Sequence, residues 1–199
     1  DDSPRELVLP VPGEHMALNA LAALIAVRDY GGDVSEALEA LTHFGGVNRR
    51  FQYHGHVGGI RVYDDYAHHP TEARAVLTAA REVADADAQG LGHPGRVIVC
   101  FQPHLFSRTE QFAEEFAKAL DLADYAIVLD IYGAREKPIP GVTSELITTQ
   151  LTIPHKYQPD FSKVPYDVAA IAEPGDIVLT MGAGNVTMEA DAVIALLKG

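Results

Sequence analysis

The segment Asp64-Asp65-Tyr66-Ala67-His68-His69-Pro70 sets adjacent carboxylates beside adjacent imidazoles. A carboxylate at a strand end can accept both hydroxyls of a ribose, or hold a metal ion, and imidazoles bind metals or move protons. The structural alternative is that Asp64 caps the helix that follows and the histidines are solvated. Downstream, Gln102-Pro103-His104-Leu105-Phe106-Ser107-Arg108-Thr109 places His104 and Arg108 four apart. Ser107 and Glu110 have the spacing of a capping box. A helix beginning there puts Arg108 in its first turn, where backbone N–H groups favour anions. A fixed guanidinium can grip a carboxylate through two bonds; the plain reading is a surface arginine beside a cap. Tyr132-Gly133-Ala134-Arg135-Glu136 adds another arginine and carboxylate. Gly182-Ala183-Gly184-Asn185 is a small-residue turn between a strand and a helix, but Thr187 occupies the last position of a G-x-G-x-x-G pattern. The plainer reading is a tight strand-to-helix turn. No Gly-Lys pair occurs, so a Walker A phosphate loop is missing. His15 and Asn19 share one face of a helix; an amide there can read a purine edge, or serve as a cap or a satisfied core group.

These groups meet only if the elements beneath them line up. Leu18, Leu21, Leu24 and Ile25 recur at helical spacing and predict a helix from about His15 to Arg28, stopped by Gly31-Gly32. Asp33 is a good N-cap for a second helix, Val34 to Leu41, and Gly45-Gly46 marks a domain boundary. Two extended runs around Gly58-Gly59 predict a β-hairpin, and Glu6–Leu9 reads as a further strand. Helices are expected near 71–83, 110–122, 144–149, 166–172 and 186–197, and strands near 96–101, 125–131, 154–157 and 176–181. The near-continuous apolar runs Val97-Ile98-Val99 and Ile177-Val178-Leu179 suit a sheet covered on both faces. The alternation predicts an α/β fold: a Rossmann-like, doubly wound, mostly parallel sheet with an antiparallel edge hairpin, preceded by a short helical segment. In such a sheet ligands bind beyond the carboxyl ends of the strands, where the polar segments above fall.

Composition narrows the function classes. Fifteen Lys and Arg against 28 Asp and Glu give a formal net charge of −13, which disfavours nucleic acid and anionic membrane surfaces as partners. An apolar fraction of 47% supports a real core. One cysteine, Cys100, leaves no internal disulfide framework and fits a reducing compartment, so the expected location is cytoplasmic. The chain opens on Asp1 rather than Met and reads as a fragment of something longer.

Taken in order, these segments resemble the Mur ligases, the ATP-dependent amide ligases of peptidoglycan synthesis. The resemblance is carried by Pro12-Gly13-Glu14-His15 through Asn19-Ala20, Asn48-Arg49-Arg50-Phe51, Asp64 through Thr71, Phe101 through Thr109, Leu129-Asp130-Ile131-Tyr132 and Gly182-Ala183-Gly184. It covers nearly the whole chain. It implies that residues 1–46 are the tail of a central ATP-binding domain and residues 47–199 the C-terminal Rossmann-like lid. The implied reaction phosphorylates the lactyl carboxylate of UDP-N-acetylmuramate with ATP, then lets the amine of L-alanine displace phosphate. The main groups for ATP and magnesium would lie outside this chain, which alone would be inactive. Carried over by position, Asn19 with His15 would contact adenine, Arg50 would reach the nucleotide, and Asp65 would accept the ribose hydroxyls. His68 would sit near the reacting centre, and Tyr66, His104 and Arg108 would line the amino-acid site. Met16, Leu105 and Phe106 stand where members often carry Asn, Arg and Tyr. One alternative is a ligase that recycles tripeptides onto UDP-muramate. Another is a metal-dependent hydrolase built on His54, His56, Asp64, Asp65, His68 and His69.

Overall fold

The computed structural model describes residues 6–86 and 95–199. The chain divides between Asn48 and Arg49 into two compact units. In the first, helix α1 spans Glu14–Asp29 and helix α2 spans Val34–Thr42. The Asp33 carboxylate accepts the backbone N–H groups of Ser35 at 2.7 Å and Glu36 at 3.2 Å, satisfying donors that the first turn of α2 leaves free. The strand expected at Glu6–Leu9 does not form; those residues carry no ladder pairing. A short apolar run has β character only where a neighbouring strand takes its N–H and C=O groups.

In the second unit, β1 (Gln52–Val57), β2 (Ile60–Asp65), β3 (Val97–Phe101), β4 (Tyr125–Leu129), β5 (His155–Gln158) and β6 (Ile177–Met181) form one sheet in the order β1-β2-β6-β3-β4-β5. Only β1 and β2 are antiparallel. Helices α3 (Pro70–Ala86), α4 (Phe106–Leu120), α5 (Glu145–Thr148), α6 (Val164–Ile171) and α7 (Met188–Leu197) complete the unit.

The strand sequences dictate two cores. Side chains alternate across a sheet, so Val97, Val99 and Phe101 join Leu77, Ala80, Phe116 and Leu120 from α3 and α4. Ile98 and Cys100 face the other way, against Val164 and Val168 of α6 and Val193 of α7. Every residue of β3 and β6 is buried, as a doubly covered parallel sheet requires.

Register then positions the loops. Asp65 pairs with Met181, Met181 with Phe101, and Phe101 with Val128. Four strands therefore end at one level, and their outgoing loops share one rim. The loop after β3 leads to α4 on one face, while the loop after the adjacent β6 leads to α7 on the other. Diverging connections of this kind open a crevice between neighbouring strand ends.

Phe116 is fully buried and packs on Phe101 with ring centroids 5.1 Å apart. Phe116→Ala removes most of that contact and leaves a cavity. The expected loss is about 3–5 kcal/mol, read as a lower urea midpoint at unchanged slope.

Candidate functional site

The rim is built on two buried carboxylates. Asp64 accepts the hydroxyls of Thr180 and Thr187, each at 2.7 Å, and lies 3.4 Å from the Arg49 guanidinium. Asp65 is 1% exposed; one oxygen takes the N–H of Phe51 and the other that of Ala67, both at 2.7 Å. Charges removed from water in this way persist only with such donors. The pair therefore ties three pieces of chain together: the entry to β1, the exit of β2 and the start of α7.

Arg49, which residue spacing did not mark as special, is the centre of that tie. Its Nη2 donates to the carbonyls of Gly182 at 2.5 Å and Gly184 at 3.2 Å. Its guanidinium carbon sits 4.6 Å from the centroid of the Tyr66 ring, a cation–π contact. Arg49 and Phe51 both hold left-handed backbone angles, φ 59° and 45°. Bonds from Tyr66 N–H to Arg49 O at 2.8 Å and from Phe51 N–H to Asp65 fix that turn. Arg50, between them, is exposed, 5.8 Å from the same tyrosine ring.

From Tyr66 a ladder of rings crosses the rim. The Tyr66 and His68 centroids are 5.2 Å apart, His68 and His104 5.7 Å, and His104 and Tyr132 5.7 Å. Arg108 reaches into it, its Nη1 lying 3.3 Å from His104 Nδ1 and 3.4 Å from the His68 carbonyl. Among the described residues, neither Arg50 nor Arg108 is ion-paired, whereas Arg96, at the opposite ends of the strands, is bound to Asp176 at 2.7 Å. Burial, with the neighbouring Arg108 and His68 charges, pulls the His104 pKa below the usual histidine value, so this imidazole is neutral at pH 7.

The supports of the ladder come from distant residues. Glu72 Oε2 accepts the N–H groups of His68 at 3.0 Å and His69 at 3.1 Å, capping α3 and holding the histidine turn. The capping box expected from Ser107 and Glu110 does not form. Helix α4 begins two residues earlier, at Phe106 with Leu105 in the N-cap position, and Ser107 gives both its N–H and its hydroxyl to Glu136. Those bonds hold the Glu136 carboxyl below the usual range. Leu105 sits before the helix at φ 74°. Gln102 accepts the N–H of Val186 at 3.1 Å and donates to Asn185 at 3.0 Å. A Cβ on Gly184 would lie 2.2 Å from the Gln102 side-chain oxygen, so only glycine fits this turn.

Tyr66, His68, His104 and Arg108 are thus brought together, with Arg50 beside Tyr66 and Asp65 buried beneath. His15 and Asn19 stand one turn apart on α1 in the first unit. His54 turns away to Asp191 on α7, at 3.1 Å, because a bulge between Tyr53 and Gly55 shifts its register. Among the described residues, no three His, Cys, Asp or Glu side chains gather so as to hold a metal ion. No helix among them is long and apolar enough to cross a membrane. The arrangement can hold an anion, present imidazoles to it, and stack a flat group.

Residues 49–184 match the family model described as Mur ligase, glutamate ligase domain. A UDP-N-acetylmuramate–L-alanine ligase of Rhodococcus opacus is 55% identical over 205 residues, covering the whole chain and 41% of that protein. The ligase of the same name from Mycolicibacterium smegmatis is 52% identical over 198 residues, again over the whole chain and 40% of its own length. The crystal structure of UDP-N-acetylmuramate-alanine ligase from Thermotoga maritima superposes with a TM-score of 0.76 at 31% identity, covering 96% of this chain and 40% of that one. The chain thus spans about two fifths of the length of the relatives it matches.

For Glu72, burial raises the pKa, but the His68 and His69 N–H bonds and the His68 charge outweigh it, and the net shift is downward from 4.5. Its stabilisation is full above the unfolded value and is lost as pH falls through the lower folded one. Because the side chain is partly exposed, the size is below about 1 kcal/mol. Glu72→Gln should lose less stability than the parent chain between about pH 5 and pH 3, measured by denaturant unfolding at each pH.

Proposed function

The chain belongs to the Mur ligase family, and from that premise we propose that it supplies the amino-acid-gripping lid of an ATP-dependent ligase that joins L-alanine to the lactyl carboxylate of UDP-N-acetylmuramate. In this reading residues 1–46 are the tail of the central ATP-binding domain and residues 47–199 the C-terminal domain. The names and identities of the Rhodococcus and Mycolicibacterium relatives support the substrate assignment. The observation that carries the site assignment is the Arg108 guanidinium, without an ion-pair partner among the described residues, beside His104 and His68 on the rim where four strands end.

A free amino acid offers a carboxylate at one end and an amine at the other. Arg108 binds the carboxylate bidentately. His104 and Tyr66 flank it, which turns the amine toward His68. The exposed Arg50 reaches the nucleotide. Asn19, with His15, contacts the adenine. Asp65, held at the strand end by the Phe51 and Ala67 N–H groups, is the ribose-facing carboxylate in this reading.

ATP, when bound, supplies the phosphoryl group that activates the lactyl carboxylate. In this reading the phosphate cradle and the magnesium site lie in the central domain of the complete enzyme. The lid holds the nucleophile in line with the activated carbonyl and excludes water that would hydrolyse it. Positioning of this kind supplies several kcal/mol of barrier lowering.

In the complete enzyme, Arg108→Ala should raise the KM for L-alanine by about 10- to 100-fold, the worth of a charge-assisted hydrogen bond, and leave the KM for ATP nearly unchanged. An unaltered alanine KM in steady-state assays sinks the carboxylate clamp. The 199-residue chain by itself should release no phosphate from ATP in an alanine-dependent manner.

A further inference from the structure

The hydrogen-bond partners of the two rim histidines fix which nitrogen of each carries the proton. His68 Nδ1 lies 3.0 Å from the Tyr66 carbonyl and 3.4 Å from Glu72 Oε2. Both neighbours only accept, the first as a carbonyl and the second as a carboxylate whose pKa is lowered. The proton of neutral His68 therefore sits on Nδ1, and Nε2 is a bare lone pair. His104 has the reverse arrangement. Its Nδ1 faces Arg108 Nη1 at 3.3 Å, and a guanidinium only donates. Neutral His104 therefore carries its proton on Nε2. The rings are 5.7 Å apart, so one rim presents an imidazole acceptor beside an imidazole donor.

We propose that His68 Nε2 takes the proton from the α-ammonium of the incoming amino acid, that His104 Nε2–H donates to an oxygen of the reacting complex, and that Glu72 is the positioning residue that holds His68 in the competent tautomer. This rests on the ligase reading above. An amino acid arrives as an ammonium, which has no lone pair to attack with. Transfer of one proton to His68 frees that pair. The nitrogen then bonds to the acyl carbon, and the carbonyl π electrons move to oxygen. Collapse of the tetrahedral anion breaks the bond to the phosphate oxygen, which leaves with the electron pair. The nitrogen loses its second proton at this stage. One of the two protons leaves on phosphate and the other passes to water, so His68 is restored. The His104 N–H stabilises charge on oxygen during the same step.

Charged and titratable groups face His68 from each neighbouring element: Glu72 on α3, Arg108 on α4, and His104 and Tyr66 in the rim loops, with Arg50 acting on Glu72. A removal of Glu72 charge leaves the others in place. It takes away the carboxylate 3.4 Å from His68 Nδ1, so the Nδ1–H tautomer loses one of its two acceptors.

The first test reads protonation directly. With 15N-labelled histidine in this chain, long-range proton–nitrogen correlation at alkaline pH should show His68 protonated at Nδ1 and His104 at Nε2. A proton on His68 Nε2 overturns the proposal. The second test uses the complete enzyme. His68→Asn keeps a donor to the Tyr66 carbonyl but has no base. It should lower kcat by about 100- to 10,000-fold with little change in alanine KM. Raising the pH should recover activity about tenfold per unit, as free amine accumulates. Glu72→Gln should admit the Nε2-protonated tautomer of His68 in the same 15N spectra; an unchanged tautomer with reduced stability makes Glu72 structural only. An unchanged kcat in His68→Asn ends the base assignment, and if Arg108→Ala still raises the alanine KM, the ligase reading survives it.

Discussion

Two adjacent carboxylates taken out of water are the constraint on which the rest of the rim depends. Alternation along β2 sends Asp64 and Asp65 to opposite faces of the sheet, yet both are buried. Each must therefore collect donors on its own side. Asp64 finds two threonine hydroxyls and a guanidinium, and Asp65 finds two backbone N–H groups. Since those donors come from the entry to β1, from β6 and from the start of α7, satisfying the acids fixes the loops that carry the exposed chemistry. A ligand site made of loops needs such a scaffold, because loop backbone has no ladder of its own.

The electrostatics of the rim oppose those of the whole molecule. The chain carries −13, yet the strand ends gather Arg49, Arg50 and Arg108. At the opposite ends of the strands, charges cancel in pairs such as Arg96 with Asp176. Arg49 is used internally on two carbonyls and a buried acid. Arg50 and Arg108 are left for something else. An acidic surround around two guanidinium groups without ion-pair partners among the described residues repels polyanions in general but leaves a local attraction for a small anion seated in the crevice. That combination fits a nucleotide and an amino acid better than a nucleic acid.

Much of the fold is legible in the chain because it is written in short-range pattern. Val97–Phe101 and Ile177–Met181 are apolar throughout, and only a doubly covered strand uses such a run. Asp33 is followed by its own donors within three residues, so its helix cap can be read directly. The errors have the opposite character. Glu6–Leu9 looks like a strand locally, but a strand exists only through its partner. Ser107 looked like half of a capping box with Glu110; its actual acceptor, Glu136, is 29 residues away. Arg49 stands in a segment that carries the family resemblance, but its role is not legible there because its contacts with Gly182 and Gly184 span 133 and 135 residues. Tyr66, His68, His104 and Arg108 could be listed from the loops after strands, but their mutual distances depend on register, which no spacing within a single segment contains.

Register also brings together two histidines whose local partners give them different outcomes. A neutral imidazole is either a donor or an acceptor at its outward nitrogen, and the inward partner decides which. A carbonyl and a carboxylate behind His68 leave its outer face a base; a guanidinium behind His104 makes its outer face a donor and keeps the ring uncharged. Neither assignment follows from the residue type. Each follows from partners within four residues, Tyr66 and Glu72 for His68 and Arg108 for His104, while the parallel alignment that ends β2 and β3 level with β6 brings the two turns together. A shift of a single residue in either strand would separate His104 and Arg108 from His68 and turn the buried acids toward the wrong donors. The chemistry of the rim is therefore as strongly specified as the core beneath it, because the same hydrophobic alternation sets both.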